Sequence, residues 1–323
     1  MTHFDLSLDE LRGYGPTVRE PSDFDDFWST TIAEARDAGG GVDQTPVDLA
    51  LPEVEAHDLT FPGYGGHPIK AWYSRPARRD EPLPTVVQFQ GYGGGRGLAF
   101  EHTFWASAGF AHVMMDNRGQ GSSWGSGGET PDPGASPAAY PGFMTRGILD
   151  RDQYYYRRLF TDAVRAVDAA RSLPGVDAEA VFAAGGSQGG GIALAVAAFA
   201  PSLKGAMVDV PFLCHYERAL AVTDSDPYGE IRRFLAVHRG RDEDVLSTLA
   251  YFDGVNFAKR AQAPALFSVG LMDETCPPST VFAAFNAYAG APKDIVVYPY
   301  NGHEGGGPHQ TRRQWEFARA TLG

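Results

Sequence analysis

The stretch Gly185-Gly186-Ser187-Gln188-Gly189-Gly190-Gly191 places one serine and one glutamine among five glycines, between two apolar runs of different kinds. Ala180 to Ala184 is short and reads as a buried strand, whereas Ile192 to Ala200 is apolar throughout and long enough for a buried helix. The glycines therefore sit on a strand-to-helix turn. The same alternation continues along the chain. Apolar runs at 85–90, 110–116, 180–185, 205–210, 265–270 and 294–299 read as strands, and helical patterns fall at 153–173, 189–200, 279–289 and 310–321. Within the first of these helices Tyr156, Leu159, Phe160, Ala163, Val164, Val167 and Ala170 form one 3.6-residue stripe. Strands that are apolar on both faces and alternate with helices need a helix layer on each side. The fold class is α/β, with a mainly parallel central sheet flanked by helices.

The remaining segments decorate that plan. Residues 21–38 read as an early helix with Ser22 as N-cap and Phe24, Phe27, Trp28 and Ile32 on its apolar face. Residues 57–76 read as a hairpin turning at Gly63-Tyr64-Gly65-Gly66. Two stretches exceed ordinary connections: 117–152 is rich in Gly, Pro and Ser, and 211–262 reads as helices inserted between two strands. Residues 1–323 are expected to form a single domain carrying an N-terminal extension and these two insertions, as lids or interface elements.

Charge and composition exclude several classes. The formal net charge of -13 is spread without an acidic block, which disfavours nucleic acid and anionic membrane surfaces as partners. No segment offers the roughly 18 apolar residues of a membrane span, and the start MTHFDLSLDELRGYG lacks the pattern of a signal peptide. Cys214 and Cys276 are too few for a disulfide framework, show no zinc spacing, and are expected as free buried thiols. A soluble cytoplasmic protein is the expectation.

Gly185 to Gly189 spells G-x-S-x-G between a strand and a helix. A serine forced into so sharp a turn stands above the carboxyl edge of the sheet, and glycines on either side let strand and helix approach. Other glycine-loop chemistries fit poorly. The Gly-Lys-Ser/Thr of a phosphate loop is absent, and G-x-G-x-x-G fails in either register because Ser187 or Gln188 occupies the third position. A serine hydroxyl is a weak nucleophile until a base takes its proton, so partners must exist, in the chain order serine, acid, histidine. Asp273 follows the strand at 265–270, with Glu274 adjacent and Asp209 as a rival acid; His303 follows the strand at 294–299 on a glycine-rich loop. His303-Glu304 does not extend to H-E-x-x-H, since position 307 is Gly. The Gln188 N–H, next to the serine, is a candidate oxyanion donor, and the Tyr92 N–H in Gly91-Tyr92-Gly93-Gly94 is the second. The chemistry calls for no metal or cofactor.

Several segments, namely 116–125, 185–194, 209–215, 248–258, 266–280 and 298–307, resemble the acetyl xylan esterase and cephalosporin C deacetylase family, carbohydrate esterase family seven. Arg118-Gly119-Gln120, the G-x-S-Q-G at Ser187 and His303-Glu304 carry that likeness together. The resemblance implies an α/β-hydrolase fold and an esterase that removes acetyl groups from small acetylated substrates such as xylo-oligosaccharides and cephalosporin C. It implies Ser187 as nucleophile, His303 as base, Asp273 as its orienter, and Tyr92 and Gln188 as oxyanion donors. It places Tyr92, Trp124, Pro227 and Thr275 around the acyl pocket, 117–152 as an interface loop and 211–262 as a helical cap. It also implies a homo-hexamer of paired trimers. For Arg118 and Gln120 the expected role is structural, a buried ion pair or loop brace. Alternatives are a hydrolase of the same fold with another acyl or peptide preference, and a catalytically silent scaffold.

Overall fold

The computed structural model describes residues 4–133, 142–200 and 202–323, so part of the expected interface loop, 134–141, lies outside the described residues. Nine strands form one sheet: β1 (Asp43–Val47), β2 (Val54–Pro62), β3 (Pro68–Pro76), β4 (Leu83–Phe89), β5 (Ala111–Met115), β6 (Val176–Gly186), β7 (Gly205–Asp209), β8 (Ala265–Gly270) and β9 (Lys293–Tyr298). Their spatial order is β1-β2-β3-β5-β4-β6-β7-β8-β9. The first three strands pair antiparallel with one another and with β5, and every pairing from β5 to β9 is parallel.

The helices are α1 (Leu8–Arg12), α2 (Phe24–Asp37), α3 (Phe104–Ser107), α4 (Tyr155–Ser172), α5 (Gln188–Phe199), α6 (Tyr216–Val222), α7 (Tyr228–Val237), α8 (Asp242–Leu249), α9 (Gly254–Ala258), α10 (Pro278–Ala287) and α11 (Gly307–Leu322). No helix among the described residues is long and apolar enough to cross a membrane. The 211–262 segment carries α6 to α9.

The parallel strands are apolar on both faces because successive side chains enter two different helix layers. On β6, Val181 and Ala183 join the large core beneath α4, α5 and α9, whereas Phe182 and Ala184 join a smaller cluster with Trp105, Phe110 and Ala318 on the opposite face. The same split runs through β4 (Val87 against Val86) and β7 (Val208 against Met207). The stripe read on α4 is buried in full. Both cysteines are free and buried.

Two details differ from the sequence reading. β1 was not expected: its residues are mostly exposed, and Pro46 argues against a strand, yet Pro is tolerated on an edge strand. Ser22 does not cap α2. Asp23 holds the N-cap position without a side-chain capping bond, because its carboxylate is drawn away to Arg151 and Tyr251 at 2.7 and 2.5 Å.

Parallel strands share one carboxyl edge, and the chain leaves that edge at each candidate residue. Tyr92 follows β4, Ser187 follows β6, Asp273 follows β8 and His303 follows β9.

Candidate active site

Ser187 occupies a left-handed backbone conformation, φ 56° and ψ -121°, rare for a residue with a side chain. Its neighbours hold it there. The Ser187 N–H donates to the Asp209 carbonyl at 3.0 Å, and its own carbonyl accepts from Phe212 N–H at 2.9 Å and Gly191 N–H at 3.1 Å. The glycines around it leave no room for side chains: a Cβ on Gly185 would meet the Gly189 backbone at 2.3 Å, and one on Gly189 the Phe89 carbonyl at 2.1 Å. Strand β6, strand β4 and helix α5 thus touch backbone to backbone beneath the serine.

His303 Nε2 lies 3.0 Å from Ser187 Oγ, and its Nδ1 lies 2.9 Å from Asp273 Oδ2. The other Asp273 oxygen accepts from Thr275 N–H at 2.8 Å and Cys276 N–H at 2.9 Å, which fixes the carboxylate from the far side. Asp273 is fully buried, whereas the imidazole is 37% exposed. The loop bearing His303 is itself braced, because Glu304 accepts from Gly302 N–H at 3.0 Å and from the Asn301 amide. Asp209, the rival acid, instead accepts from the Gln310 and Gln314 amides of α11 at 2.8 and 2.6 Å, and Glu274 points outward.

The two candidate donor groups share a polar link. Gln120 Oε1 accepts from Gly93 N–H at 2.7 Å, and Gln120 Nε2 donates to Gln188 Oε1 at 3.0 Å and to the Tyr155 hydroxyl at 2.9 Å. Tyr156 donates a further 2.9 Å bond to Gln188 Oε1. The Gln188 side chain is thereby turned into the core, while its N–H and that of Tyr92 have no partner among the described residues.

Above the serine lies a pocket of about 700 Å³, bordered by Tyr92, Trp124, Pro227, Thr275 and His303, with Ser187 among its lining. Trp124 covers the Gly91–Gly94 loop: its indole N–H donates to the Tyr92 carbonyl at 2.7 Å, and a Cβ on Gly94 would strike the ring at 2.4 Å. Of the residues expected from the sequence, Tyr92, Trp124, Ser187, Pro227, Thr275 and His303 line this pocket, Asp273 is buried behind His303, and the Gln188 side chain points away from it.

A family model described as acetyl xylan esterase (AXE1) matches residues 1–321. The chain belongs to the acetyl xylan esterase family. That family is one of carboxylic ester hydrolases, and the sheet and helix layers are those of the α/β-hydrolase fold. The chain is 39% identical to the acetyl xylan esterase from Paenibacillus sp. R4, over 98% of this chain and 99% of that one, with a TM-score of 0.90. It is 33% identical to acetyl xylan esterase 1 from Thermoanaerobacterium sp. JW/SL YS485, over 99% and 100% of the two chains, with a TM-score of 0.89. Acetyl esterase Axe7A of Xylanibacter ruminicola is 29% identical over 303 residues, and the chain spans 64% of its length.

The Arg118-Gly119-Gln120 trio stays out of the pocket. Arg118 is buried and forms a paired contact with Asp162 of α4, at 2.5 and 2.6 Å, and a longer one with Asp132 at 3.3 Å. Sequence reasoning missed Asp226, Glu230 and Arg233, which also line the pocket. They precede or lie on α7, inside the segment that reads from sequence only as inserted helices.

Proposed function

We propose that this chain is a serine esterase that removes acetyl groups from small acetylated substrates, xylo-oligosaccharides and cephalosporin C among them. The observation that carries the reading is the Ser187–His303–Asp273 series, with contacts of 3.0 and 2.9 Å, at the base of the pocket. Ser187 Oγ attacks the acetyl carbonyl carbon while His303 Nε2 takes its proton. Asp273 holds the imidazole in the tautomer that leaves Nε2 free to accept, and stabilises the imidazolium that forms. The tetrahedral oxyanion takes hydrogen bonds from the Tyr92 and Gln188 N–H groups, which need no reorganisation because nothing else claims them. The C–O bond to the sugar or cephem alcohol breaks, and His303 returns the proton to that leaving oxygen. Water then loses a proton to the same imidazole, attacks the acetyl-enzyme, and acetate departs with Ser187 restored.

Tyr92, Trp124, Pro227 and Thr275 bound the acyl side of the pocket in this reading. Apolar pockets discriminate by only about 1–3 kcal/mol per methylene, so rates on p-nitrophenyl esters fall steeply but not absolutely from acetyl to butyryl. We propose further a hexamer in the cytoplasm, with 117–152 at the interface and 211–262 as the cap of one domain. Light scattering in solution giving six times the chain mass is the expected result.

The test is active-site labelling with a fluorophosphonate, followed by Ser187→Ala. Labelling at Ser187 and loss of activity by many orders of magnitude are expected. Activity of Ser187→Ala within about tenfold of the parent would remove Ser187 as nucleophile. Equal rates on acetyl and octanoyl esters would remove the small-acyl reading, and acetylated xylo-oligosaccharides set against cephalosporin C rank the substrates.

A further inference from the structure

Cys276 has no part in the mechanism above, yet it stands inside it. The residue is completely buried, and its N–H donates to Asp273 Oδ1 at 2.9 Å. One sulfur from Cys276, one ring nitrogen from His303 and one carboxylate oxygen from Asp273 all lie within 4.8 Å of one another. We propose that Cys276, His303 and Asp273 form a site for a thiophilic divalent cation, Zn²⁺ or Cd²⁺, whose binding shuts the esterase reversibly.

The donor set suits such an ion. Sulfur, imidazole nitrogen and carboxylate oxygen are the ligands Zn²⁺ takes, at about 2.3, 2.0 and 2.0–2.2 Å, which puts ligand atoms about 3.3–3.6 Å apart in a tetrahedral site. From the 4.8 Å limit no pair of ligand atoms has to close by more than about 1.5 Å to reach that geometry. The charges also match: a thiolate and a carboxylate together neutralise a divalent ion, and the imidazole binds as the neutral base. The step balances as M²⁺ displacing the thiol proton to solvent, with one M–S bond formed and one S–H bond broken. The pocket supplies the entry path, because His303 is the exposed member of the three. The fourth position falls to water.

Inhibition follows from the ligands themselves. An imidazole nitrogen engaged by the cation, or an imidazole pulled from Asp273, no longer accepts the serine proton in the right tautomer. This inference rests on the Ser187–His303–Asp273 reading for its effect on activity, but metal binding itself does not. The experiment therefore has two arms. In the first, esterase activity of the parent, Cys276→Ala and Cys276→Ser proteins is titrated with ZnCl₂ and CdCl₂, then treated with EDTA. Loss of parent activity at micromolar metal, recovery with EDTA, and at least a tenfold higher inhibiting concentration for both variants are expected. Equal sensitivity of parent and variants overturns the site. In the second arm, Co²⁺ is added to Ser187→Ala and to Ser187→Ala/Cys276→Ala. A thiolate-to-cobalt charge-transfer band in the near ultraviolet is expected in the first protein and not in the second. A missing band in both overturns the site even if the serine assignment stands. A band without any inhibition of the parent overturns the mechanistic link while leaving the cation site in place.

Discussion

The phenol of Tyr92 donates a 2.7 Å hydrogen bond to the Glu230 carboxylate, tying the loop that carries one candidate oxyanion donor to helix α7 of the inserted segment. The phenol oxygen accepts in turn from Gly142 N–H at 3.1 Å and Phe143 N–H at 2.8 Å, and the second Glu230 oxygen accepts from Met144 N–H at 3.2 Å. Burial pushes the Glu230 carboxyl above the ordinary glutamate range, so the partners here are chosen by geometry rather than by favourable solvation. Three chain segments meet on one phenol.

Tyr92→Phe keeps the backbone N–H but strands Glu230 and two amide donors. A buried partner left unpaired is worth about 1–3 kcal/mol, so kcat is expected to fall about 5- to 160-fold with a much smaller change in KM. Tyr92→Phe/Glu230→Gln should lose less than the product of the single losses, because both remove one contact. Steady-state kinetics of the cycle check this, and multiplicative losses would show that the two side chains act independently.

The assignment of the acid separates Asp273 from Asp209. Asp273→Asn presents an amide to His303 Nδ1 and upsets the tautomer, for an expected loss of about three to four orders of magnitude in kcat. Asp209→Asn, which changes a group bonded to α11 amides, is expected to lower kcat by far less. Comparable losses in both variants would put the acid in doubt.

Arg118 and Asp162 are both fully buried, so Arg118→Met leaves a carboxylate without its cation inside the core. Breaking such a pair from one side destabilises by about 3–5 kcal/mol. Urea denaturation should show that loss, while KM at a temperature where the variant is folded stays close to that of the parent.

His112 gives stability a pH dependence of known sign. Burial pushes its imidazole down from 6.5 to about 3, so the folded chain keeps it neutral where the unfolded chain takes up a proton. Its contribution is complete above about pH 6.5 and is lost as pH falls toward 3, by up to about 1.4 kcal/mol for each unit. His112→Gln is expected to flatten the slope of unfolding free energy between pH 4 and 6.5 by about one proton. Denaturant titrations across that window measure it.

The parts legible in the sequence are those where one residue type had one physical use. β4, β6 and β7 stand out because both faces are apolar, and the elbow stands out because Gly185 and Gly189 have backbone against them where a Cβ would go. Of the remaining glycines in that stretch, Gly186 meets nothing closer than 3.9 Å, so its identity says nothing about the turn. Glu230 and Arg233 were illegible for the opposite reason: a charged residue on an amphipathic helix spells the same whether it faces solvent or a pocket. Ser22 misled because capping is a local rule, and the Asp23 carboxylate follows a longer-range contact with Arg151 and Tyr251. β1 has no apolar face to announce it and is held by pairing with β2 alone.

His303 hangs from β9, which pairs only with β8 and closes the sheet at its edge, with most of its residues only partly buried. Ser187 hangs from β6, two pairings from the far end of the parallel set, where the carboxyl half of the strand is buried. Edge strands open at lower free energy than central ones, so the proposed proton acceptor sits on the less durable half of the machine. On heating, turnover is then the first property to disappear, ahead of the near-ultraviolet signature of the aromatic core, and the enzyme switches itself off by fraying rather than by melting.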